Sequence, residues 1–269
     1  MLEIKMLKVV HDGEDEARKL LPHIQECDVF SQESQALTEE EAVLLEQNWE
    51  ALLQMSRSRF RHELERTYGG SDSSFAQYNI KRDDYLFQNK KPIIFLERWS
   101  QEDSLRLKES ENNWNKKRRI YLKALHEKEI DRFMELCPPS LRDFSQWMIV
   151  ERDKHIADNL TRAEEIIHTN YPQLIAKTPK ILTFDLGTGH ALQRYTSIPI
   201  KVIDLDGKLS MCDRILHDLM QTEVPKDYPK RDLLAYGIGE LAYEGLLSVD
   251  DSTLRNASFD ELKKIVESN

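Results

Sequence analysis

The segment "KILTFDLGTGH", residues 180–190, decides the fold. Its apolar half, residues 180–187, predicts a short buried β-strand. The small residues that follow predict a turn, and the turn ends in His190. A second apolar segment, "IPIKVIDLDGK" (198–208), contains the next strand. The question is whether His190 is a ligand or catalyst at a strand end, or only a loop residue.

Towards the N-terminus, strands alternate with helices. The predicted strands cover 3–11, 27–34 and 91–98, and the predicted helices cover 38–67, 101–137 and 143–170, with a break at "CPPS" (137–140) and a mostly helical segment over 209–269. This alternation predicts an α/β protein with a mainly parallel sheet flanked by helices. We expect one domain over 1–269, in which helical insertions at about 38–90 and 101–170 form a cap at one edge of the sheet.

Two helix starts carry a clear local signal. Thr38 precedes a periodic, acidic segment, and Ser258 precedes "FDELKKIVES". A hydroxyl at such a position accepts a hydrogen bond from the first turn of a helix. We therefore expect Thr38 and Ser258 to be N-caps.

Composition excludes several classes of partner. The 269 residues carry a formal net charge of −10, which repels phosphate backbones, so we expect no nucleic-acid partner. The basic segment "NKKRRIYLK" (115–123) is typical of a solvated helix face. The cysteines, Cys27, Cys137 and Cys212, form no CxxC pair, which argues against a structural zinc site and for a reducing cytoplasm. We expect no signal peptide and no membrane span, and the sequence leaves a homo-oligomer open.

Polar side chains stand where the predicted strands end. These residues are His11, Glu33, Glu97, Arg98 and His190. The carboxyl ends of parallel strands meet at one edge of a sheet, so we expect His11, Glu33, Glu97 and His190 to lie at a common edge. Histidines and carboxylates hold divalent metals or transfer protons near neutral pH. The alternative is that strands simply end in polar residues because they end at water.

A second signal lies in the predicted helix "VERDKHIADNL" (150–160). The apolar positions of this helix follow a helical period, and that period turns Arg152 and Asp153 towards the core. A charge that faces the core is costly unless it is paired. Either both residues have structural partners, or Arg152 reaches the strand-end cluster, pairs with Glu33 or Glu97, and stabilises an anion.

An ordered set of segments carries a resemblance to a known family. In chain order they are "LKVVHDG", "CDVFSQES", "IIFLERWSQEDSLRLK", "VERDKHIADNL" and "LGTGHALQRY". The set resembles the TraB/PrgY/GumN/TIKI superfamily, which is related in fold to the erythromycin-esterase and ChaN-like proteins. The resemblance covers roughly residues 4 to 205. Within it, Gly187 and His190 match the second of two GxxH motifs.

The resemblance implies metal-dependent hydrolysis of a peptide bond, as in the TIKI branch, or peptide-pheromone shutdown, as in the TraB/PrgY branch. The implied catalytic residues are Glu33, Arg152 and His190, the implied metal ligands are His11, Glu33 and His190, and the implied substrate-binding residues are Glu97, Arg98, Gly187, Thr188 and Gly189. The substrate would be a peptide or a small molecule. A mixed nitrogen and oxygen donor set favours Mn, Co or Zn over Ca or Mg. Because a ligand imidazole must be neutral, we expect metal affinity to fall as the pH drops through about 6.5.

The sequence departs from the family pattern at Lys8, which stands where the first GxxH motif has glycine. A long side chain there either crowds the site or turns into solvent. The family's usual membrane anchor or signal is also not seen. Two functions therefore stay open: a metal-dependent hydrolase, or a catalytically silent regulatory or peptide-binding protein on the same fold. A phosphate site at residues 187–189 is a weaker third reading, since "GTGH" lacks the GxxxxGK pattern.

Overall fold

A computed structural model describes residues 2–9, 13–33, 37–68, 73–187, 190–205 and 229–269, and only the backbone of Met148. The chain divides into two compact units. The first comprises Met1–Ser104 and Asp153–Gly207, and the second comprises Leu105–Arg152 and Lys208–Asn269.

A parallel sheet of five strands forms the centre of the first unit. The described strands are β1 (Leu2–Val9), β2 (Val29–Ser31), β3 (Leu37–Thr38), β4 (Ile93–Ile94), β5 (Arg98–Trp99), β6 (Lys180–Gly187) and β7 (Ile200–Asp204). The sheet order is β4-β2-β6-β1-β7, and each neighbouring pair is parallel. Strands β3 and β5 form a separate parallel pair. The predicted α/β class with a mainly parallel sheet is confirmed.

Helices make up most of the remaining described chain. They are α1 (Gly13–Lys19), α2 (Leu21–Glu26), α3 (Glu39–Leu53), α4 (Arg57–Thr67), α5 (Ser74–Gln88), α6 (Gln101–His126), α7 (Ile130–Ser145), α8 (Arg152–Asn170), α9 (Lys230–Tyr243), α10 (Asp251–Asn256) and α11 (Phe259–Ser268), with a π-helical segment at Gln146–Glu151. The predicted N-caps are confirmed: the hydroxyls of Thr38 and Ser258 accept from the backbone N–H of Glu41 and Glu261.

Three predicted elements differ from the structure. The single helix expected over 38–67 is two helices, because α3 ends at Leu53 and α4 starts after its N-cap Ser56. The break expected at 137–140 lies inside α7, with both prolines within the helix. One face of α7, which includes Phe133, is buried in the core of the second unit, and this packing outweighs the local cost of the prolines. The chain instead breaks after α6, near Lys128, whose φ is 67°.

The strand expected over 91–98 is also divided. Its first part is β4 in the main sheet, and its last residue begins β5 in the small sheet. The residues between them are buried but lie outside both strands. The apolar run "IIFL" is continuous in sequence, so hydrophobicity alone did not reveal the bend.

Both faces of the sheet are covered over β2, β4 and β6, which explains the apolar runs in these strands, whereas the edge strand β7 is largely exposed. On one face, Leu7 and Phe30 pack in a cluster with residues of α3, α4 and α5, among them Trp49. On the other face, Met6 and Phe184 pack against α8. Beside α8, the ring of Trp99 stacks on His155, with centroids 4.0 Å apart.

The second unit has its own helical core. In this core the hydroxyls of Tyr121 and Tyr236 lie 3.2 Å apart. Gly237 on α9 is in close contact with α7, since a Cβ at position 237 would lie 2.5 Å from the ring of Phe133. Trp114 packs against Phe144, with ring centroids 4.4 Å apart. Among the described helices of the whole chain, none is both long and apolar enough to cross a membrane.

Candidate functional site

The carboxyl ends of β1, β2 and β6 meet at one edge of the parallel sheet. In the register of the strands, Ser31 lies opposite Phe184 and Val9 lies opposite Gly187. Glu33 follows β2 by two residues, and His190 follows β6 by three. The structure therefore brings Glu33 and His190 to the same edge. His11, which follows β1 in sequence, lies outside the described residues.

Glu33 and His190 lie beside each other, and both contact the backbone of Gly187. The distance between His190 Nε2 and Glu33 Oε1 is 3.5 Å. The other carboxylate oxygen, Oε2, accepts from the backbone N–H of Gly187 at 2.9 Å. The backbone N–H of His190 donates to the carbonyl of Gly187 at 3.1 Å. One glycine thus fixes both the carboxylate and the loop that carries the imidazole.

Asp153 binds the other side of the imidazole. Its Oδ1 lies 2.5 Å from His190 Nδ1, and its Oδ2 accepts from the backbone N–H of Ala191 at 2.6 Å. Asp153 is fully buried in the first turn of α8, in line with the inward orientation that the helical period predicts. The imidazole of His190 therefore lies between two carboxylates, those of Asp153 and Glu33.

This environment changes the acidity of His190. Burial is the largest influence and by itself lowers the pKa of the imidazole, while hydrogen bonds and charges from Asp153 and Glu33 raise it. The sum raises the pKa of His190 from 6.5 to about 9. At neutral pH the group is therefore an imidazolium that can donate to both carboxylates.

Two features beside these groups bear on ligand binding. A Cβ at Gly187 would make ordinary contacts, at 3.6 Å from Glu33 Oε2 and 3.8 Å from His190 Cδ2, so the backbone of Gly187 lies close to both side chains. The hydroxyl of Ser31, two residues before Glu33, is buried and has no hydrogen-bond partner among the described residues. A buried hydroxyl is expected to be paired, so an unpaired one near a site is a candidate contact for a bound molecule.

A second layer of buried polar groups lies behind Glu33. Asp185 Oδ1 accepts from the backbone N–H of Glu33 at 3.4 Å, and its Oδ2 accepts from the hydroxyl of Tyr78 at 2.9 Å and from Arg82 Nη1 at 3.2 Å. Arg82 Nε also donates to Asp83 Oδ1 at 3.0 Å. None of these second-layer residues stands at a predicted strand end or in one of the segments that resemble the superfamily.

Asp185 nevertheless has a signal in the sequence. It stands between Phe184 and Leu186 in a strand that is otherwise apolar. A strand with both faces covered has no solvated side for a carboxylate, so a charge there must have buried partners. The partners themselves, on α5, could not be found from the sequence because they lie about a hundred residues away along the chain.

The remaining predicted residues have other surroundings. The guanidinium of Arg98 binds Glu39 at 2.7 Å and Glu46 at 2.5 Å, and its Nε donates to the carbonyl of Phe95. Its described contacts therefore tie β5 to α3. Glu97 is buried in the bend between β4 and β5.

Arg152 is also buried, and it is assigned to the second unit. Its predicted reach to Glu33 or Glu97 stays a prediction. Thr188 and Gly189 lie outside the described residues. Lys8 is half-buried on β1, beside Leu186 in register, and its side of the strand is the one on which Met6 packs against α8.

Comparison with known proteins finds no match for this chain. The chain matches no protein-family model, no curated protein and no solved structure. Within the described ranges, no three His, Cys, Asp or Glu side chains are grouped so that they could hold a metal ion. The arrangement of Glu33, His190 and Asp153 is therefore the main indication of function.

Proposed function

We propose that the chain is a metal-dependent hydrolase of peptide or amide bonds, of the TraB/TIKI type, with Glu33 and His190 at its centre. One observation carries the proposal: a buried imidazole lies between two carboxylates at the carboxyl edge of a parallel sheet. This edge is where α/β proteins bind their substrates. The ordered segments that resemble the superfamily support the same conclusion.

The donor set suits a divalent transition metal. Glu33 Oε1 and His190 Nε2 offer one oxygen and one nitrogen 3.5 Å apart, and such mixed donors favour Mn, Co or Zn. Asp153 binds the opposite ring nitrogen, as carboxylates commonly do behind ligand histidines. His11 is the proposed third ligand. When bound, such an ion would polarise the scissile carbonyl and acidify a water molecule.

The protein's own groups have separate roles in this proposal. Glu33 serves as metal ligand or as base. As the base, Oε1 accepts a proton from the attacking water, and the N–H of Gly187 fixes Oε2 so that Oε1 faces the reactants. Asp153 fixes the orientation of the imidazole. The unpaired hydroxyl of Ser31 is the proposed hydrogen-bond partner of the substrate backbone. Arg152 is the proposed stabiliser of the developing oxyanion.

Calorimetry and a peptide-hydrolysis assay with Mn, Co and Zn test the proposal. We expect the wild-type chain to bind one of these ions, His190→Ala to abolish binding, and Glu33→Gln to reduce hydrolysis by about 10² or more. Glu46→Gln is the matched control, since it makes the same change at a buried glutamate bound to Arg98. The absence of both binding heat and hydrolysis in the wild type would contradict the proposal.

The pH dependence of binding gives a second test. The ligand nitrogen must lose its proton before it binds a metal, and the pKa of His190 is about 9 rather than 6.5. Affinity should therefore rise about tenfold per pH unit up to about pH 9, with one proton released per ion. Calorimetry at two pH values, each in two buffers of different ionisation enthalpy, measures both quantities. An affinity that levels off near pH 6.5 would mean that the ligand histidine titrates at its ordinary value, and it would contradict the raised pKa of His190.

The second candidate is a catalytically silent regulatory or peptide-binding protein. The half-buried Lys8 favours it, because this residue replaces the glycine of the first motif on the side of β1 that carries Met6. Lys8→Gly should strengthen metal binding if the lysine crowds the site. For either function we propose a reducing cytoplasm, since Cys27 and Cys137 are buried free thiols whose pKa values burial raises.

A further inference from the structure

The second layer behind Glu33 is a continuous buried network, which we call the Arg82 network. It consists of Arg82, Asp83, Asp185, Tyr78 and Tyr68. In addition to the contacts given above, the hydroxyl of Tyr68 donates to Asp83 Oδ2 at 2.9 Å. Asp185 is 0% exposed and Arg82 is 3% exposed. These charges are therefore almost completely removed from water.

Such a network is a poor way to gain stability. Taking two carboxylates and a guanidinium out of water costs several kcal/mol per ion, and apolar side chains of the same volume often stabilise a core as well or better. A buried, fully hydrogen-bonded network instead fixes the positions of the groups that it contacts. The groups that this network contacts therefore indicate its role.

The Arg82 network contacts both residues that follow β2. The side-chain amide of Gln32 donates to Asp83 Oδ1 at 3.0 Å, and the backbone N–H of Glu33 donates to Asp185 Oδ1 at 3.4 Å. Arg82 joins the two carboxylates through Nε and Nη1. The chain segment that carries Glu33 is therefore fixed at two successive residues by one guanidinium.

Strand β6 holds Glu33 a second time. Asp185 and Gly187 are two residues apart on β6, and they bind the backbone N–H and the side-chain Oε2 of Glu33, respectively. The direction of the Glu33 carboxylate towards His190 thus depends on how firmly the segment after β2 is held on β6.

We propose that the Arg82 network is the positioning device of the site: Asp185, fixed by Arg82 and Tyr78, holds the Glu33 backbone so that its carboxylate faces His190. The network residues are positioning residues, because they reach the site only through Glu33. The inference rests on the proposed function of Glu33.

The charge states of the network support this role. Burial lowers the pKa of Arg82, but Asp83 and Asp185 raise it well above its ordinary value, so the guanidinium stays charged. Burial and the charge of Asp185 raise the pKa of Tyr78 well above 10, so its hydroxyl stays a donor. Both donors to Asp185 therefore keep their protons at neutral pH.

Two variants weaken the network without enlarging any side chain. Tyr78→Phe removes one hydrogen bond to Asp185, and Asp185→Asn removes the charge that faces Arg82. Each has a matched control in the same unit. Tyr171→Phe removes the hydroxyl of another buried tyrosine, which donates to the carbonyl of Ile93 at 2.6 Å, and Glu46→Gln neutralises the buried partner of Arg98.

Nuclear magnetic resonance of the ¹⁵N-labelled chain reads the position of Glu33 without any substrate. In Tyr78→Phe and Asp185→Asn we expect the amide signals of Glu33 and Gly187 to shift and their hydrogen exchange to accelerate about tenfold relative to the amide of Leu182 in the middle of β6. The low-field proton between His190 and Asp153 should move as well. Tyr171→Phe and Glu46→Gln should change thermal stability but leave these signals in place.

The outcomes separate the two proposals. Unchanged Glu33 and Gly187 amides in a folded Tyr78→Phe variant, or equal changes in the controls, would overturn the positioning role. If hydrolysis is found, Tyr78→Phe should lower kcat about tenfold with little change in KM, and an unchanged kcat would also count against the role. A wild type without hydrolysis whose Glu33 signals still respond to Tyr78→Phe would contradict the proposed function and leave the positioning role standing.

Discussion

Two buried arginines in the first unit make the same type of ion pair but differ in the groups that they hold in place. Arg82 and Arg98 each bind two carboxylates, and both are at most 5% exposed. The partners of Arg82 are both buried, whereas one partner of Arg98, the side chain of Glu39, is 44% exposed. Both carboxylate partners are therefore removed from water in the Arg82 network, whereas only one of them is in the Arg98 network.

The two networks also end on different groups. Glu46, the buried partner of Arg98, accepts from the backbone N–H of Phe95 at 2.8 Å and from Asn170 at 2.6 Å. Burial raises its pKa, and Arg98 offsets this only in part. This network joins α3 and α8 to the bend after β4. The Arg82 network instead ends on Glu33. We infer that the Arg98 network fixes secondary-structure elements relative to one another, whereas the Arg82 network fixes the position of a site residue.

The largest expected effect is a difference between Arg82→Met and Arg98→Met. Removal of Arg82 leaves Asp83 and Asp185 buried without a cation, at a cost of about 3–5 kcal/mol in the free energy of unfolding. Arg98→Met leaves one buried carboxylate that keeps two other donors, so its cost should be smaller. Urea denaturation measures both. Equal losses, or a larger loss for Arg98→Met, would remove the distinction between the networks.

An intermediate effect is expected from His190, which contacts Glu33, the residue on which the Arg82 network ends. Its pKa is about 9 in the folded chain and 6.5 in the unfolded chain. The folded-state value is the higher one, so its stabilising contribution is complete below pH 6.5 and is lost as the pH rises through about 9. The difference corresponds to about 3 kcal/mol.

Urea denaturation between pH 6 and pH 9.5, with a chelator present, measures this contribution. The stability difference between the wild type and His190→Asn should shrink steadily over the range. A difference that stays constant with pH would mean that the imidazole does not carry the extra proton that Asp153 and Glu33 stabilise.

The smallest expected effect concerns Gly187. A Cβ there makes ordinary contacts with Glu33 and His190, so Gly187→Ala should change stability by less than about 1 kcal/mol. The same substitution at Gly237, where a Cβ would lie 2.5 Å from Phe133, should cost about 1–3 kcal/mol. Gly187→Ala should nevertheless weaken metal binding, because the methyl group fills the space beside the two donors. Unchanged affinity in the calorimeter would show that this space is not used.

The regular parts of this fold could be predicted from the sequence, and the reason is periodicity. Strand-end positions in a parallel sheet follow from apolar runs, so the residues after 31 and after 187 could be assigned to one edge in advance. Apolar periodicity does not predict the bend between β4 and β5 or the end of α3, because packing with distant parts of the chain sets each of them. The prolines of α7 show the reverse case. They locally predict a break, but the helix continues through them because one of its faces packs in the core.

The partners within the site could be predicted less well. The inward orientation of Asp153 follows from the helical period, but its pairing with His190 depends on how α8 packs on the sheet. The contact of Arg82 with Asp185 joins residues 103 positions apart, and no local pattern encodes it. The sequence therefore predicts which side chains lie at the carboxyl edge of the sheet. The hydrogen bonds that orient these side chains are seen only in the structure.

The distribution of tryptophans has a practical consequence. Trp49 and Trp99 lie in the first unit, and Trp114 and Trp147 lie in the second. Replacement of the second pair by phenylalanine would leave a chain whose tryptophan fluorescence reports on the first unit alone, through Trp49 and through Trp99 stacked on His155. The complementary replacement would report on the other unit. Thermal unfolding of these two chains, followed by tryptophan fluorescence, would show whether the two units unfold in one transition or in two.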